Sequence, residues 1–179
     1  MINRLLALIL LFIFLPVFLF ISLVIFIEDG FPVFFTQKRV GINYTFFKIY
    51  KFRSMKKNTP NVATHLLTNP DQYLLKIGKF IRKTSLDELP NLINIVKGEM
   101  VFVGPRPALY NQDDLMNLRL TTGVSKLKPG ITGWAQINGR DEISISEKVK
   151  LEQWSGVLLD SYNRYSTKSE SWDYPFEYA

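Results

Sequence analysis

The sequence predicts a single α/β domain of short helices around a small antiparallel β element, preceded by an apolar N-terminal helix. Three observations lead there. The 179 residues are 47% hydrophobic and 14% aromatic, enough for one packed core and too much for a disordered chain. Leu5 to Ile27 is a run of 23 residues without a charge. Beyond it, aromatic and β-branched residues give way to short segments of helical periodicity divided by Gly and Pro.

At about 1.5 Å per residue, the apolar run is long enough to reach across a hydrocarbon core as a helix. A secretory signal peptide is the competing reading, but the run is longer than a usual signal core and no A-x-A-like cleavage site follows it. Pro16 lies in its middle, where it removes an intrahelical hydrogen bond and clashes with the preceding turn, so a kink is expected there. The kinked segment can span a bilayer or turn back to the face it entered. Hydropathy alone favours spanning, while Arg4 before the run and Lys38 and Arg39 after it leave the positive-inside rule without a preference.

"FPVFFTQKRVGINYTFFKIYKFRSM" reads as a β-hairpin ending near Met55, with Gly41-Ile42-Asn43 as the turn. Residues 56–70 hold two prolines and little periodicity, a surface loop. In "DQYLLKIGKFIRK", Tyr73, Leu74, Ile77, Phe80 and Ile81 recur at helical spacing, with Lys76, Lys79, Arg82 and Lys83 elsewhere: an amphipathic basic helix suited to solvent or to anionic headgroups. "PNLINIVKG" continues as a short helix capped by Gly98, and "MVFVGPRP" as a strand broken at Gly104. "KPGITGWAQINGR" opens on a Pro-Gly turn, runs strand-like from Ile131 to Ile137 and ends in Asn138-Gly139. Asp141 to Leu159 suggests a helix, and the remaining tail has no clear period.

A net charge of +6 predicts attraction to polyanions. With no cysteine, disulfides, thiolate metal sites and cysteine nucleophiles are excluded, and His65, the one histidine, sits in the surface loop. Neither a Walker-type nor a Rossmann glycine loop occurs, and no nucleic-acid module is recognisable. Asp87-Glu88-Leu89-Pro90 has two readings. As structure, Asp87 caps a helix, or Ser85 caps it with Glu88 as its capping-box partner. As chemistry, Asp87 is an ionised nucleophile and Glu88 a hard oxygen ligand. Arg82, Arg106 and Arg140 are candidate phosphate clamps, with Pro105 and Pro107 restricting the backbone that presents Arg106.

"KFRSM" (51–55), "IRKTSLDELPNLINIVKGEMVFVGPRP" (81–107) and "KPGITGWAQINGR" (128–140), in that order behind an apolar helix, resemble the bacterial sugar transferase family of small monotopic polyprenyl-phosphate phosphoglycosyl transferases. The resemblance covers about residues 1–153. It implies transfer of a sugar 1-phosphate from a UDP-sugar to polyprenyl phosphate with release of UMP, the first membrane step of glycan assembly, upstream of further glycosyltransferases. Asp87 would be the covalent nucleophile and Glu88 its Mg²⁺-associated partner. Arg53, Arg82, Pro105, Arg106, Pro107 and Arg140 would be the substrate-binding set. It also implies a re-entrant helix with both ends on the cytoplasmic face of the inner membrane, and three parts: residues 1–30, a catalytic domain 31–160 and a tail 161–179. Two departures stand out. Leu15-Pro16 replaces the family's Ser-Pro kink, and beyond Leu159-Asp160, a remnant of a Leu-Asp-Leu-like motif, no basic amphipathic helix follows. The rival reading is a catalytically silent membrane-anchored scaffold.

Overall fold

A computed structural model describes residues 1–60, 69–139 and 143–154. The apolar run folds as two helices, α1 (Ile2–Ile13) and α2 (Leu15–Asp29), bent by 61° at the break just before Pro16. The kink lies where the proline predicts it. No single helix among the described residues is long and apolar enough to cross a membrane, but this bent pair is, by length and composition.

The hairpin forms from β1 (Phe34–Val40) and β2 (Phe46–Phe52), paired antiparallel from Phe34–Phe52 to Val40–Phe46. Its turn uses Asn43 and Tyr44, both at positive φ. The predicted helix over residues 71–83 is shorter than its periodicity suggested. Pro70–Tyr73 is a 3₁₀ turn, Leu74 bridges to Met55, and α3 runs only over Lys76–Lys83. Pairing to Met55 takes the backbone of Leu74 out of the helix. α4 (Asn91–Lys97) ends at Gly98 in the left-handed conformation, as read from the sequence.

β3 (Val101–Val103) and β4 (Gly130–Thr132) pair in parallel, so the fold holds a second two-stranded element that the expectation of an antiparallel sheet did not include. The strand expected over 131–137 stops at Thr132, and α6 (Trp134–Ile137) replaces the rest. The two segments cross closely here. A Cβ on Gly130 would lie 2.2 Å from the Gly104 nitrogen, and one on Gly133 would lie 2.3 Å from the Gly104 carbonyl oxygen. Only glycine permits that approach. α5 (Asp113–Thr121), to which the sequence reading assigned no element, and the helical residues 145–154 complete the described chain.

Three apolar clusters organise these elements. Ala7 of α1 packs with Phe47 and Ile49 of β2 and with Leu92 and Ile95 of α4. Ile21 and Ile25 of α2 pack with Phe52, Leu75 and Ile81. Val40, Ala108, Leu115, Val124 and Val149 form the third, which fastens α5 and the helix over 145–154 to the body. Each fully buried Ile or Leu contributes about 1.5–3 kcal/mol. β2 is shared by the first two clusters, so it is the member that brings both limbs of the bent pair onto one domain.

Candidate active site

Asp87 and Glu88 lie in the 3₁₀ turn Leu86–Glu88, between α3 and α4. The turn is held by its apolar neighbours: Leu86 and Leu89 pack into the cluster around Phe52 and Ile81, so the two carboxylates between them are held partly buried at its edge. Both capping readings are corrected here. The residue before α4 is Pro90, Ser85 makes no side-chain cap bond, and Glu88 turns to two cations instead of the Ser85 nitrogen. Ser85 itself holds φ 57°, a left-handed conformation that costs a non-glycine residue about 1–2 kcal/mol. Such strain concentrates at functional turns.

Glu88 Oε1 accepts from Lys51 Nζ at 2.6 Å and from Arg106 Nη2 at 3.3 Å. Burial alone would raise the Glu88 pKa, but Lys51 and Arg106, through charge and hydrogen bonds, hold it below the usual carboxylate range. Asp87 goes the other way. Burial raises its pKa and the Glu88 charge adds to the rise, against the opposing charges of Lys51 and Arg82. The two adjacent carboxylates are thus driven apart, a pattern typical of sites in which neighbouring acids have different tasks. Arg82 is oriented by Ser54, whose Oγ accepts from its Nε at 2.8 Å.

Three cations around two carboxylates leave this cluster with an excess of one positive charge, suited to an anionic ligand. Glu88 and Arg106 line a cleft of about 320 Å³ together with Leu89, Leu92, Ile131 and Ile137. As an oxygen ligand for a cation, Glu88 is joined by Asn91, which lines a small cavity together with Glu88, Lys51 and Arg106 and whose Oδ1 is buried without a partner among the described residues. Hard oxygens of this kind fit Mg²⁺, but with Lys51 and Arg106 beside them the ion would need substrate phosphates as further ligands. Among the described residues, no group of three or more His, Cys, Asp or Glu could hold a metal without such help.

Of the residues singled out in the sequence, Asp87, Glu88, Arg82 and Arg106 meet in one place. Pro105 and Pro107 flank Arg106 and hold its loop. Arg53 goes elsewhere: it is buried at the end of α2, where it pairs with the Asp29 carboxylate and donates to the Asp29 and Gly30 carbonyls. Arg140, His65 and Leu159-Asp160 lie outside the described residues. Lys51 was missed. The signal was available, because Phe47, Ile49 and Lys51 alternate along β2 and the first two are buried, which makes Lys51 a charge on an inward face.

The sequence matches the family described as Bacterial sugar transferase over residues 1–156. An uncharacterized sugar transferase, EpsL, of Bacillus subtilis is 43% identical, with 77% of this chain and 67% of that protein covered. The UDP-glucose:undecaprenyl-phosphate glucose-1-phosphate transferase of Escherichia coli is 42% identical, over 75% of this chain and 30% of that protein. The exopolysaccharide production protein ExoY of Rhizobium meliloti is 36% identical, over 79% and 69%. The chain therefore spans about two thirds of the shorter relatives and under a third of the Escherichia protein. With a match over residues 1–156 that includes every element described above, the chain belongs to the bacterial sugar transferase family.

Proposed function

We propose that this protein transfers a sugar 1-phosphate from a UDP-sugar to a polyprenyl phosphate and releases UMP, through a covalent intermediate on Asp87. The observation that carries the reading is the placement of Asp87 and Glu88 among Lys51, Arg82 and Arg106, with Glu88 and Arg106 lining a cleft. An Asp87 oxygen attacks the phosphorus bonded to the sugar 1-oxygen. The bond from that phosphorus to the bridging oxygen breaks and UMP leaves with the electron pair. A phosphate oxygen of the polyprenyl phosphate then attacks the same phosphorus and displaces the carboxylate, giving a polyprenyl diphosphate sugar. Lys51 and Arg106 keep Glu88 ionised and oriented, and Arg82 and Arg106 face the diphosphate charge. Mg²⁺, held by Glu88 and the diphosphate, would neutralise charge on the transferring group. Relatives of 36–42% identity are named for glucose and for galactose, so overall identity does not choose the sugar. The scaffold reading loses its main support, because the Asp-Glu pair caps no helix. UMP release from a UDP-sugar that requires polyprenyl phosphate for turnover separates the two readings.

The acid limb of the rate profile belongs to Asp87 in this scheme: activity falls as pH falls through its raised pKa, because the protonated acid is no nucleophile. Lys51→Met removes the foremost lowering charge and is expected to move that limb to higher pH. A limb left at its wild-type position in a folded variant would show that Asp87 does not set it.

For the membrane segment we favour re-entry, with both ends on the cytoplasmic side of the inner membrane. The support is that both limbs rest on the same body. Arg4 Nη2 approaches the Lys97 carbonyl at 3.4 Å, and Asp29 at the far end of α2 pairs with Arg53. Around the bend, Phe12, Ile13, Leu19 and Phe20 are exposed, as a lipid-facing apex requires. Cysteines placed at Asn3 and Thr36 in this cysteine-free chain should both label from the cytoplasmic side. Labelling of the Asn3 site from the opposite side would show a span instead. Pro16→Ala, which restores the lost hydrogen bond, should shift the population toward spanning.

A further inference from the structure

The loop 104–107 presents Arg106 but has few means of holding itself in place. Pro105 and Pro107 have no N–H, so the loop's carbonyls are its main points of attachment. Three consecutive ones are taken by three different elements. Gly130 N–H of β4 donates to the Pro105 oxygen at 2.9 Å. Arg119 Nη2 of α5 donates to the Arg106 oxygen at 2.8 Å. Arg39 Nη1 of β1 donates to the Pro107 oxygen at 3.1 Å.

The middle attachment differs in kind, because its donor is a buried charge fixed from behind. Arg119 is 8% exposed, and its partner Glu152, within the helical residues 145–154, is 1% exposed. Arg119 Nε donates to Glu152 Oε2 at 2.8 Å while Nη2 reaches Oε1. Two-point pairing of this kind confines the guanidinium to one orientation. As a contribution to packing the pair has no advantage, since apolar residues of similar volume serve a core as well or better. What apolar residues cannot supply is a donor to the Arg106 carbonyl.

We propose that Glu152 and Arg119 are positioning residues that fix the backbone at Arg106 and so aim its guanidinium at Glu88 and at the diphosphate. This rests on the function proposed above. Glu152 orients Arg119, Arg119 holds the Arg106 carbonyl between two prolines, and Arg106 Nη2 projects to Glu88 Oε1 at 3.3 Å. The helix over 145–154 is thereby part of the apparatus that presents the site, although it contributes no group to the cluster itself.

A double-mutant comparison tests this with the full chain in membranes, using UMP release as the readout. The apolar pair Arg119→Met with Glu152→Leu removes the donor while filling the space, so melting should stay close to wild type. Its kcat/KM should nevertheless fall by about tenfold to a hundredfold, the scale of loss expected when a phosphate-binding group is misplaced. In an Arg106→Ala background the same pair should cost less than about twofold more, since the group it aims is gone. Equal losses in both backgrounds, or an unchanged rate in the folded double variant, would overturn the relay. If the double variant does not fold, Glu152→Gln, which leaves one acceptor for Arg119, carries the same comparison, and a wild-type rate there counts against the proposal. Failure of the underlying reading looks different: Arg106→Ala itself would then keep wild-type activity.

Discussion

Asp87→Asn is expected to abolish turnover, by at least about three orders of magnitude, while the protein remains folded and melts at or above the wild-type temperature. The loss follows from chemistry: an amide cannot form the phosphoryl-carboxylate bond, and removal of a covalent nucleophile ranks among the largest single-residue effects in enzymes. The thermal result follows from electrostatics. Burial and the neighbouring Glu88 raise the Asp87 pKa, so the folded state disfavours the ionised side chain and Asp87 subtracts from stability at pH values above its unfolded pKa. Asparagine removes that charge at nearly the same volume. Stability given up at a working group is a familiar trade. A residue that only capped a helix would leave the rate near wild type, since asparagine caps about as well as aspartate. Activity in a variant that stays folded therefore distinguishes the two roles that the sequence left open for this residue.

Arg106→Ala should lower kcat/KM by about a hundredfold to a thousandfold, the usual cost of deleting one donor aimed at developing charge in a water-poor site. Arg106→Lys should remain clearly impaired, because lysine keeps the charge but loses the planar fork that addresses two phosphate oxygens. Stability should change little in either variant. Glu88 would still hold Lys51 at 2.6 Å, so its carboxylate is not left without a cation. The Arg106 side chain is also partly exposed, and the loop attachments at Pro105 and Pro107 involve backbone atoms that the substitution does not touch. Melting curves and initial rates on the same preparations check both statements. Loss of rate only in proportion to an unfolded fraction would make Arg106 structural.

Local patterns in the sequence marked the elements best. The kink at Pro16, the hairpin around Gly41-Ile42-Asn43, the Gly98 cap and the strand ending before Gly104 each depend on a proline, a glycine or a two-residue alternation, and each is where the residues indicated. Long-range partners were not legible. The parallel pairing of Val101 with Gly130 joins segments about thirty positions apart in sequence, and so does the close approach of Gly133 to Gly104 just before α6. The site divides along the same line. Asp87, Glu88 and Arg106 could be named from local motifs, but Arg53 could not be assigned to Asp29, nor Arg119 to Glu152, without knowing which faces meet. Lys51 lay between the two cases. Its inward position was readable from alternation along β2, its partner Glu88 was not.

The central claim is a covalent intermediate on Asp87, and the most direct measurement omits the acceptor. Protein in membranes, mixed with a UDP-sugar and Mg²⁺ but no polyprenyl phosphate, should release a burst of UMP of about one equivalent per protein and then stop. Mass analysis should find the sugar phosphate on the peptide that contains Asp87, and Asp87→Asn should give neither burst nor adduct. UMP release that appears only when polyprenyl phosphate is present, with no adduct on that peptide, would contradict the account and point to direct transfer between the two substrates.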